Sequence, residues 1–209
     1  MSLRLFLLRH AETDWNRERR YQGWQDIPLC EAGRIQAEAA ARRLSGARLA
    51  AVWSSPQQRA RDTAAAIASP HGLEVHTHEA FKEMGFGPWE GLTVDEARAR
   101  FPDSYQAWTE APHVATWPGA ESLAQVRARV LAGLTELRAG YGGQTVCLVA
   151  HGISSRVLVL EALGLGLDRL WSLQLSSTGI SELEFRDDWT AVHRMNTLMH
   201  LDRVPAARP

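Results

Sequence analysis

The chain has 209 residues, a length that suits one α/β domain. Its 45% hydrophobic and 22% charged residues are ordinary for a globular protein, and 23 Lys and Arg against 24 Asp and Glu give a net charge of −1. No overall field therefore attracts nucleic acid or a membrane surface, and any anion site must be a local cluster.

Cysteine usage and hydropathy indicate the compartment. Cys30 and Cys147 lie far apart and in no metal-binding spacing, so we expect neither a disulfide nor a zinc site. The apolar run Leu5–Leu8 is too short for a signal peptide, and no run reaches the ~18 apolar residues of a membrane span. We therefore expect a cytoplasmic protein that binds neither membrane nor nucleic acid.

The first part of the chain predicts strands that alternate with helices. A continuous apolar run favours a buried strand over Leu3–Leu8, and a long polar loop then extends to Leu29. The elements predicted next are a helix over Glu31–Leu44, a strand over Leu49–Trp53, a helix with Ser55 as N-cap and Pro56 at its first position, and a strand over Leu73–Thr77.

The segment from Glu79 to Gly119 is rich in glycine and proline. It predicts a loop, a short helix over Thr93–Arg100 and irregular structure beyond it. The later predicted elements are a helix over Ser122–Arg138, a strand over Thr145–Ala150, a helix over Ser155–Leu163, and a hairpin of the strands Ile180–Phe185 and Ala191–Asn196. No repeat or linker divides the chain, so we expect a single domain over residues 1–209. Residues of about 79–120 would form a loop-rich substrate cap, and 201–209 a loose tail.

Alternating strands and helices predict a three-layer α/β/α fold around a mostly parallel central sheet. Ligands of such sheets bind beyond the carboxyl ends of the strands. Two apolar strands end in the same way, since LFLLR is followed by His10 and VCLVA by His151. If these strands are neighbours, the two imidazoles face each other at the edge where ligands bind.

The polar residues near the predicted strand ends and helix starts match the needs of metal-free phosphoryl transfer. That reaction requires a nucleophile such as a neutral imidazole, fork-shaped donors for the phosphoryl oxygens, and a carboxyl group as acid. The matching residues are Arg9, His10, Asn16, Arg59, Glu83 and His151. No acidic cluster or HExxH spacing indicates a metal centre, so we predict no metal and no cofactor.

The ordered motifs of the chain resemble those of the histidine phosphatase superfamily, the phosphoglycerate-mutase-like group. RHAETDWN, at Arg9–Asn16, is similar to the family signature, with Ala11 where the family commonly has glycine. YQGWQDIPLCEAG, WSSPQQRARDTA, EMGFGPWEG and the late pair His151-Gly152 follow in the family's order. The resemblance covers nearly the whole chain and implies a phosphoglycerate-mutase-like fold.

The resemblance also implies a role for each matching residue. His10 would be the catalytic nucleophile that becomes phosphorylated, and Glu83 the general acid and later the base for water. His151 would complete the catalytic set from within the phosphate pocket. The remaining phosphate-binding and substrate-binding residues would be Arg9, Asn16, Gln22, Gly23, Arg59 and Gly152.

The superfamily divides between phosphatases and mutases. Family mutases that use a bisphosphate cofactor tend to be longer and to carry an arginine-rich insertion after the acid-bearing loop. Between Glu83 and Ser122 this chain has only Arg98 and Arg100. We therefore favour hydrolysis of a small phosphorylated metabolite, with a phosphoglycerate mutase as the alternative and a non-catalytic phosphate-binding module as the second alternative. The particular substrate, the oligomeric state and the role of Arg17, Arg19 and Arg20 stay open.

Overall fold

A six-stranded mixed sheet forms the centre of the computed structural model, which describes residues 2–202. The strands are β1 (Leu3–Arg9), β2 (Ala51–Ser54), β3 (Val75–Thr77), β4 (Thr145–Ala150), β5 (Ile180–Phe185) and β6 (Thr190–Thr197). Their order across the sheet is β3-β2-β4-β1-β5-β6. Strand β5 alone runs against the other five, because it is antiparallel to both β1 and β6. The predicted mostly parallel sheet is confirmed.

Helices cover both faces of this sheet. The α-helices within the described residues are α1 (Asp14–Arg17), α2 (Glu31–Leu44), α3 (Gln58–Ala68), α4 (Val94–Arg100), α5 (Pro102–Glu110), α6 (Leu123–Gly140) and α7 (Gly152–Ala162). Side chains of one strand alternate between the two faces. In β4, Cys147 and Val149 join the core under α2 and α3, whereas Val146 and Leu148 join the core under α6 and α7. The predicted three-layer α/β/α fold is therefore confirmed.

Several predicted helix boundaries were wrong. Ser55 is not the N-cap of α3 and Pro56 is not its first residue, because α3 begins at Gln58. The Ser55 hydroxyl instead accepts a hydrogen bond from the Gln57 backbone N–H at 3.1 Å, in a turn before the helix. The helix predicted from Ser155 begins at Gly152, directly after β4. The helix predicted from Thr93 begins one residue later, and Thr93 is its N-cap.

Other parts of the chain contain more helix or less strand than predicted. The loop up to Leu29 contains α1, and the segment that was expected to be irregular contains α5, which starts at a proline in its first turn. Strands β2 and β3 begin two residues later than expected. Within residues 2–202, no helix is long and apolar enough to cross a membrane. Most of the predicted tail, 203–209, lies outside the described residues.

The segment over 79–120 packs through aromatic side chains. Trp89 and Trp117 stack with ring centroids 4.1 Å apart, and Phe86 and Trp108 meet edge to face at 5.9 Å. Tyr21, from the long loop after β1, packs against Phe86 at 4.9 Å. These contacts fix the segment beside the carboxyl ends of the central strands.

Candidate active site

The register of β1 and β4 brings the two predicted histidines together. The strands pair in parallel with Arg9 opposite Ala150, and the His10 N–H extends the ladder by donating to the Ala150 carbonyl at 2.9 Å. Each histidine therefore follows its strand at the same edge of the sheet. The ring centroids of His10 and His151 lie 5.1 Å apart, and both side chains are buried.

His10 is held as a neutral ring with one free nucleophilic nitrogen. Its Nδ1 lies 2.7 Å from the Ala11 carbonyl, which only accepts, so Nδ1 carries the proton and Nε2 carries the lone pair. Burial lowers the pKa of His10 well below its usual value of 6.5, and the charges of Arg59 and Arg9 lower it further. The ring is therefore uncharged at neutral pH.

Ala11 occupies its position without backbone strain. It is fully buried, and its φ does not lie in the left-handed region that favours glycine. Its N–H donates to the Thr63 hydroxyl at 3.0 Å, and that hydroxyl donates to the Arg59 carbonyl at 2.7 Å. The departure from the family pattern at this position thus leaves the chain after His10 firmly bonded.

His151 presents a ring nitrogen that no protein group satisfies. Its Nε2 lies 2.7 Å from the Ser55 hydroxyl, whereas its buried Nδ1 has no hydrogen-bond partner within the described part of the chain. Burial lowers the pKa of His151 well below 6.5, with Arg59, His10 and Arg9 adding to the effect. If the Ser55 hydroxyl donates to Nε2, the neutral ring carries its proton on Nδ1 and can donate it to a ligand.

Arg9, which is partly buried, and Arg59, which is buried, place two guanidinium groups beside the histidines. Arg9 donates from Nη1 to the Leu175 carbonyl at 3.1 Å. Arg59 donates to the carbonyls of Gly23 and Gln25 at 2.9 and 2.7 Å. Burial lowers the pKa of Arg59 to about 10, which leaves it charged at neutral pH. Among residues 2–202 the buried Nε of each arginine finds no acceptor. Both side chains line the cavity described below, so their guanidinium groups can bind an anion there.

Glu83 joins the site through the start of α7. Its carboxylate accepts the backbone N–H groups of Met84 and Ile153 at 2.9 and 3.1 Å. Ile153 lies in the first turn of the helix, where backbone N–H groups lack helical partners and favour an anion. The carboxylate also lies 3.4 Å from the position that a Cβ on Gly152 would take. Glu83 thus approaches the helix N-terminus that follows His151.

Arg129 clamps the backbone on which Glu83 stands. It donates from Nη1 to the carbonyls of Ala80 and Lys82 at 2.8 and 2.7 Å, and from Nη2 to the carbonyl of Glu83 at 2.9 Å. Its opposite edge forms an ion pair with Glu121 at 2.9 Å. The loop that carries the carboxylate is therefore held from behind by one planar cation.

Gln57 connects three parts of the site from a buried position. Its amide nitrogen donates to the Gly23 carbonyl at 2.8 Å, and its oxygen accepts the Glu83 backbone N–H at 2.9 Å. Gly23 itself has a φ of +49°. Gln22, next to it, has a buried Oε1 with no partner in the described residues. In Asn16, Oδ1 accepts from Thr13, which leaves its NH₂ group as a donor.

A cavity of about 270 Å³ opens between these groups. Eight of the nine residues predicted for the site line it: Arg9, His10, Asn16, Gln22, Gly23, Arg59, Glu83 and Gly152. His151 lies behind them and is fully buried. Sequence reasoning missed Ser55, Gln57, Thr63, Arg129 and Arg156, of which only Arg156 lines the cavity. Three of them, Ser55, Gln57 and Thr63, belong to the motif SSPQQRARDTA, so the polar residues of that motif could have indicated them from the sequence.

The cavity is locally cationic although the chain as a whole is nearly neutral. The arginines that line it are Arg9, Arg19, Arg20, Arg59 and Arg156, and the one acidic residue is Glu83. Arg17, whose role the sequence left open together with that of Arg19 and Arg20, does not line it. Within residues 2–202, no group of three His, Cys, Asp or Glu side chains is arranged to hold a metal ion. The lining therefore suits an anionic ligand.

An uncharged imidazole beside two arginines and a carboxyl group, at the edge of an α/β sheet, is an arrangement suited to phosphoryl transfer. Residues 5–198 match the profile of the histidine phosphatase superfamily (branch 1). The chain belongs to this superfamily, and the predicted resemblance is confirmed.

Individual relatives agree with this assignment over nearly their full length. Phosphoserine phosphatase 1 of Hydrogenobacter thermophilus is 35% identical over 95% of this chain and 94% of its own. The solved structure of YhfR from Bacillus stearothermophilus is 32% identical with a TM-score of 0.90, over 95% and 99% of the two chains. A phosphoserine phosphatase of Entamoeba histolytica, solved with 3-phosphoglyceric acid, is 30% identical with a TM-score of 0.86, over 95% and 99%.

Proposed function

We propose that this histidine phosphatase hydrolyses small phosphomonoesters through a phosphohistidine intermediate on His10. The observation that carries the proposal is the neutral ring of His10, whose Nδ1 is committed to the Ala11 carbonyl and whose Nε2 is free. Two arginines, Arg9 and Arg59, line the cavity beside it. A dianionic phosphoryl group is the ligand that such donors bind best.

The first step transfers the phosphoryl group to the enzyme. The Nε2 lone pair of His10 attacks phosphorus, and the P–O bond to the alcohol breaks. A protonated Glu83 gives its proton to the leaving oxygen, so the alcohol departs neutral. The three phosphoryl oxygens accept hydrogen bonds from Arg9, Arg59 and Nδ1–H of His151 while the phosphoryl group moves from the alcohol oxygen to His10.

The second step returns the enzyme to its starting state. Glu83, now a carboxylate, takes a proton from water, and the water oxygen attacks phosphorus. The N–P bond breaks, its electrons return to Nε2 of His10, and inorganic phosphate leaves. Glu83 is thereby protonated again for the next cycle, so no proton is gained or lost by the protein overall.

We assign the remaining lining residues to binding. The NH₂ group of Asn16 donates to a phosphoryl oxygen, and the Gly152 backbone N–H at the start of α7 donates to another. Gln22 and Gly23 contact the alcohol part of the substrate, which fits the unpartnered Oε1 of Gln22. Residues 79–120 form the substrate cap of the single domain, since Phe86 and Trp108 line the cavity.

The substrate is a small phosphorylated metabolite. A cavity of about 270 Å³ lies just below the usual range of ligand sites, roughly 300–1,000 Å³, and so suits a small ligand. Relatives named for phosphoserine, and a neighbour solved with 3-phosphoglyceric acid, support a substrate of that size. Both cysteines are free and buried, which fits the reducing cytoplasm that we propose as the location.

Phosphoglycerate mutase stays the second candidate, because a 2,3-bisphosphoglycerate-dependent mutase of Methylobacterium is 37% identical over 82% of this chain. Incubation with 3-phosphoglycerate separates the two functions. A phosphatase releases inorganic phosphate and glycerate, whereas rapid formation of 2-phosphoglycerate without free phosphate would identify a mutase.

The general test is hydrolysis of p-nitrophenyl phosphate and a panel of phosphorylated metabolites in the presence of EDTA. We expect activity that resists EDTA and is lost in His10→Ala. A matched control is His113→Ala, which removes an exposed imidazole outside the cavity lining. Loss of activity with EDTA would contradict the metal-free mechanism, and the absence of any phosphatase activity in the purified protein would favour a binding module.

A further inference from the structure

We propose that Arg156 binds a carboxylate of the substrate, so that the preferred substrates are phosphate esters of small hydroxy acids. The inference rests on the proposed phosphatase function and names the substrate class of that same site. Arg156 belongs to α7, one turn after Gly152, and was not among the residues that the sequence motifs singled out.

Arg156 lies at short range from the reacting groups. A Cβ placed on Gly152 would be 3.4 Å from Glu83 Oε2, 3.6 Å from Arg156 Nη1 and 3.9 Å from Arg9 Cζ. The acid, the phosphate-binding arginine and Arg156 therefore surround one point of the cavity wall. A second anionic group only a few bonds away from the phosphate would reach Arg156 while the phosphoryl group contacts Arg9.

The guanidinium of Arg156 is held in one orientation. Its Nε donates to the Leu173 carbonyl at 2.9 Å, and its Cζ stands 5.4 Å from the ring centroid of Trp171. Trp171 is itself tied down, because its indole N–H donates to the Trp108 carbonyl at 3.1 Å. Nη1 also donates to the Gly152 carbonyl at 3.4 Å, which is a long hydrogen bond. The second hydrogen of Nη1 and the Nη2 group remain for a ligand, and two N–H groups of this planar cation match the two oxygens of a carboxylate.

Charge compensation supports an anionic ligand at this edge. Arg20, another lining arginine, already pairs with Glu18 and Glu96. Arg156 forms no ion pair with an acidic side chain within residues 2–202, although it is partly buried. Glu83 offsets part of the positive charge without forming an ion pair, whereas burial and the nearby charge of Arg9 both lower the pKa of Arg156. A partly desolvated cation without a direct anionic partner is unfavourable. A substrate carboxylate would neutralise it.

The test compares substrates that differ only in the carboxylate. O-phosphoserine is paired with O-phosphoethanolamine, and 3-phosphoglycerate with glycerol 3-phosphate. In the wild-type protein kcat/KM should be at least about 10-fold higher for the acid of each pair, which is the range expected of a charge-assisted pair. Arg156→Met, which keeps the apolar stem, should abolish this preference while changing kcat/KM for the two carboxylate-free substrates less than about threefold.

Two controls separate this role from a structural one. Arg17→Met removes a positive charge from the last residue of α1, outside the cavity lining, and should keep the preference. Thermal unfolding of Arg156→Met reports whether loss of the Leu173 contact disturbs the fold. Equal loss of kcat/KM on all four substrates would show a structural role and overturn the proposal, as would a wild-type preference for fructose 1,6-bisphosphate over both acids. If the wild-type protein hydrolyses no phosphomonoester, the proposed function itself fails, together with this inference.

Discussion

Gly23 is the position where a single added methyl group should disturb the site most clearly. Its φ of +49° lies in the left-handed region, and a Cβ there would lie 2.0 Å from Glu90 Oε1. Glu90 would have to swing away, although its carboxylate accepts from the backbone N–H groups of Trp24 and Phe86 and from the amide of Gln25, each at 3.0 Å. Gly23→Ala therefore combines backbone strain with three lost hydrogen bonds.

The magnitude follows from these two parts. An L-residue in the left-handed region costs roughly 1–2 kcal/mol, offset by about 0.4–1 kcal/mol because alanine restricts the unfolded chain. The three hydrogen bonds contribute about 1 kcal/mol each. Gly23→Ala should therefore lower the free energy of unfolding by about 3–5 kcal/mol. Gly72→Ala is the matched control, since Gly72 has a φ of +65° but nothing within 4 Å of the added Cβ; it should lower it by only about 1 kcal/mol.

Urea denaturation of both variants measures the stability difference, and steady-state kinetics measures the consequence for the site. The Gly23 carbonyl accepts from Arg59 and Gln57, so its displacement should reduce kcat/KM by about tenfold or more, whereas Gly72→Ala should leave kcat/KM unchanged. If the two variants are equally stable and equally active, the assigned role of the Gly23 turn is refuted.

Three further predictions concern groups that position the reacting residues. Arg129→Met removes the cation that positions the Glu83 backbone, so it should lower kcat much more for an alkyl phosphate than for p-nitrophenyl phosphate, whose leaving group needs no proton from Glu83. An equal loss of kcat on both substrates would contradict this positioning role of Arg129. Ser55→Ala should lower kcat about tenfold, because His151 Nε2 loses its partner, and the loss should not appear in the exposed control Ser45→Ala. The free energy of unfolding should decrease as the pH falls below 6.5. The pKa values of His10 and His151 are lowered in the folded protein, so below this pH the unfolded chain binds more protons than the folded one. Urea denaturation at several pH values measures this dependence, which should be shallower in His10→Asn.

The edge of the sheet that carries the site could be predicted because the signal is local. An apolar strand followed by a polar pair places Arg9 and His10 at a carboxyl end, and the same pattern places His151 at another. Neither inference needs the rest of the fold. The structure then supplies what the pattern leaves open, namely that β1 and β4 are neighbours in parallel register.

The supporting contacts could not be predicted because they join residues that are distant in the chain. Ser55 meets His151 across 96 positions, and Arg156 meets Leu173 across 17 positions that include the end of α7 and a short 3-10 helix. Local signals also misled at two helix starts. Gly152 is a poor helix former, yet tertiary packing begins α7 there, and Pro102 reads as a helix breaker although it suits the first turn of α5.

The central claim is that the phosphoryl group passes through Nε2 of His10. Rapid acid-free quenching of the enzyme with ³²P-labelled substrate, followed by mass spectrometry of the labelled peptide, tests it directly. We expect a label that is stable in base, labile in acid and located on His10, that is lost in His10→Ala and retained in His113→Ala. A label on another residue, or full turnover by His10→Ala, would contradict the account.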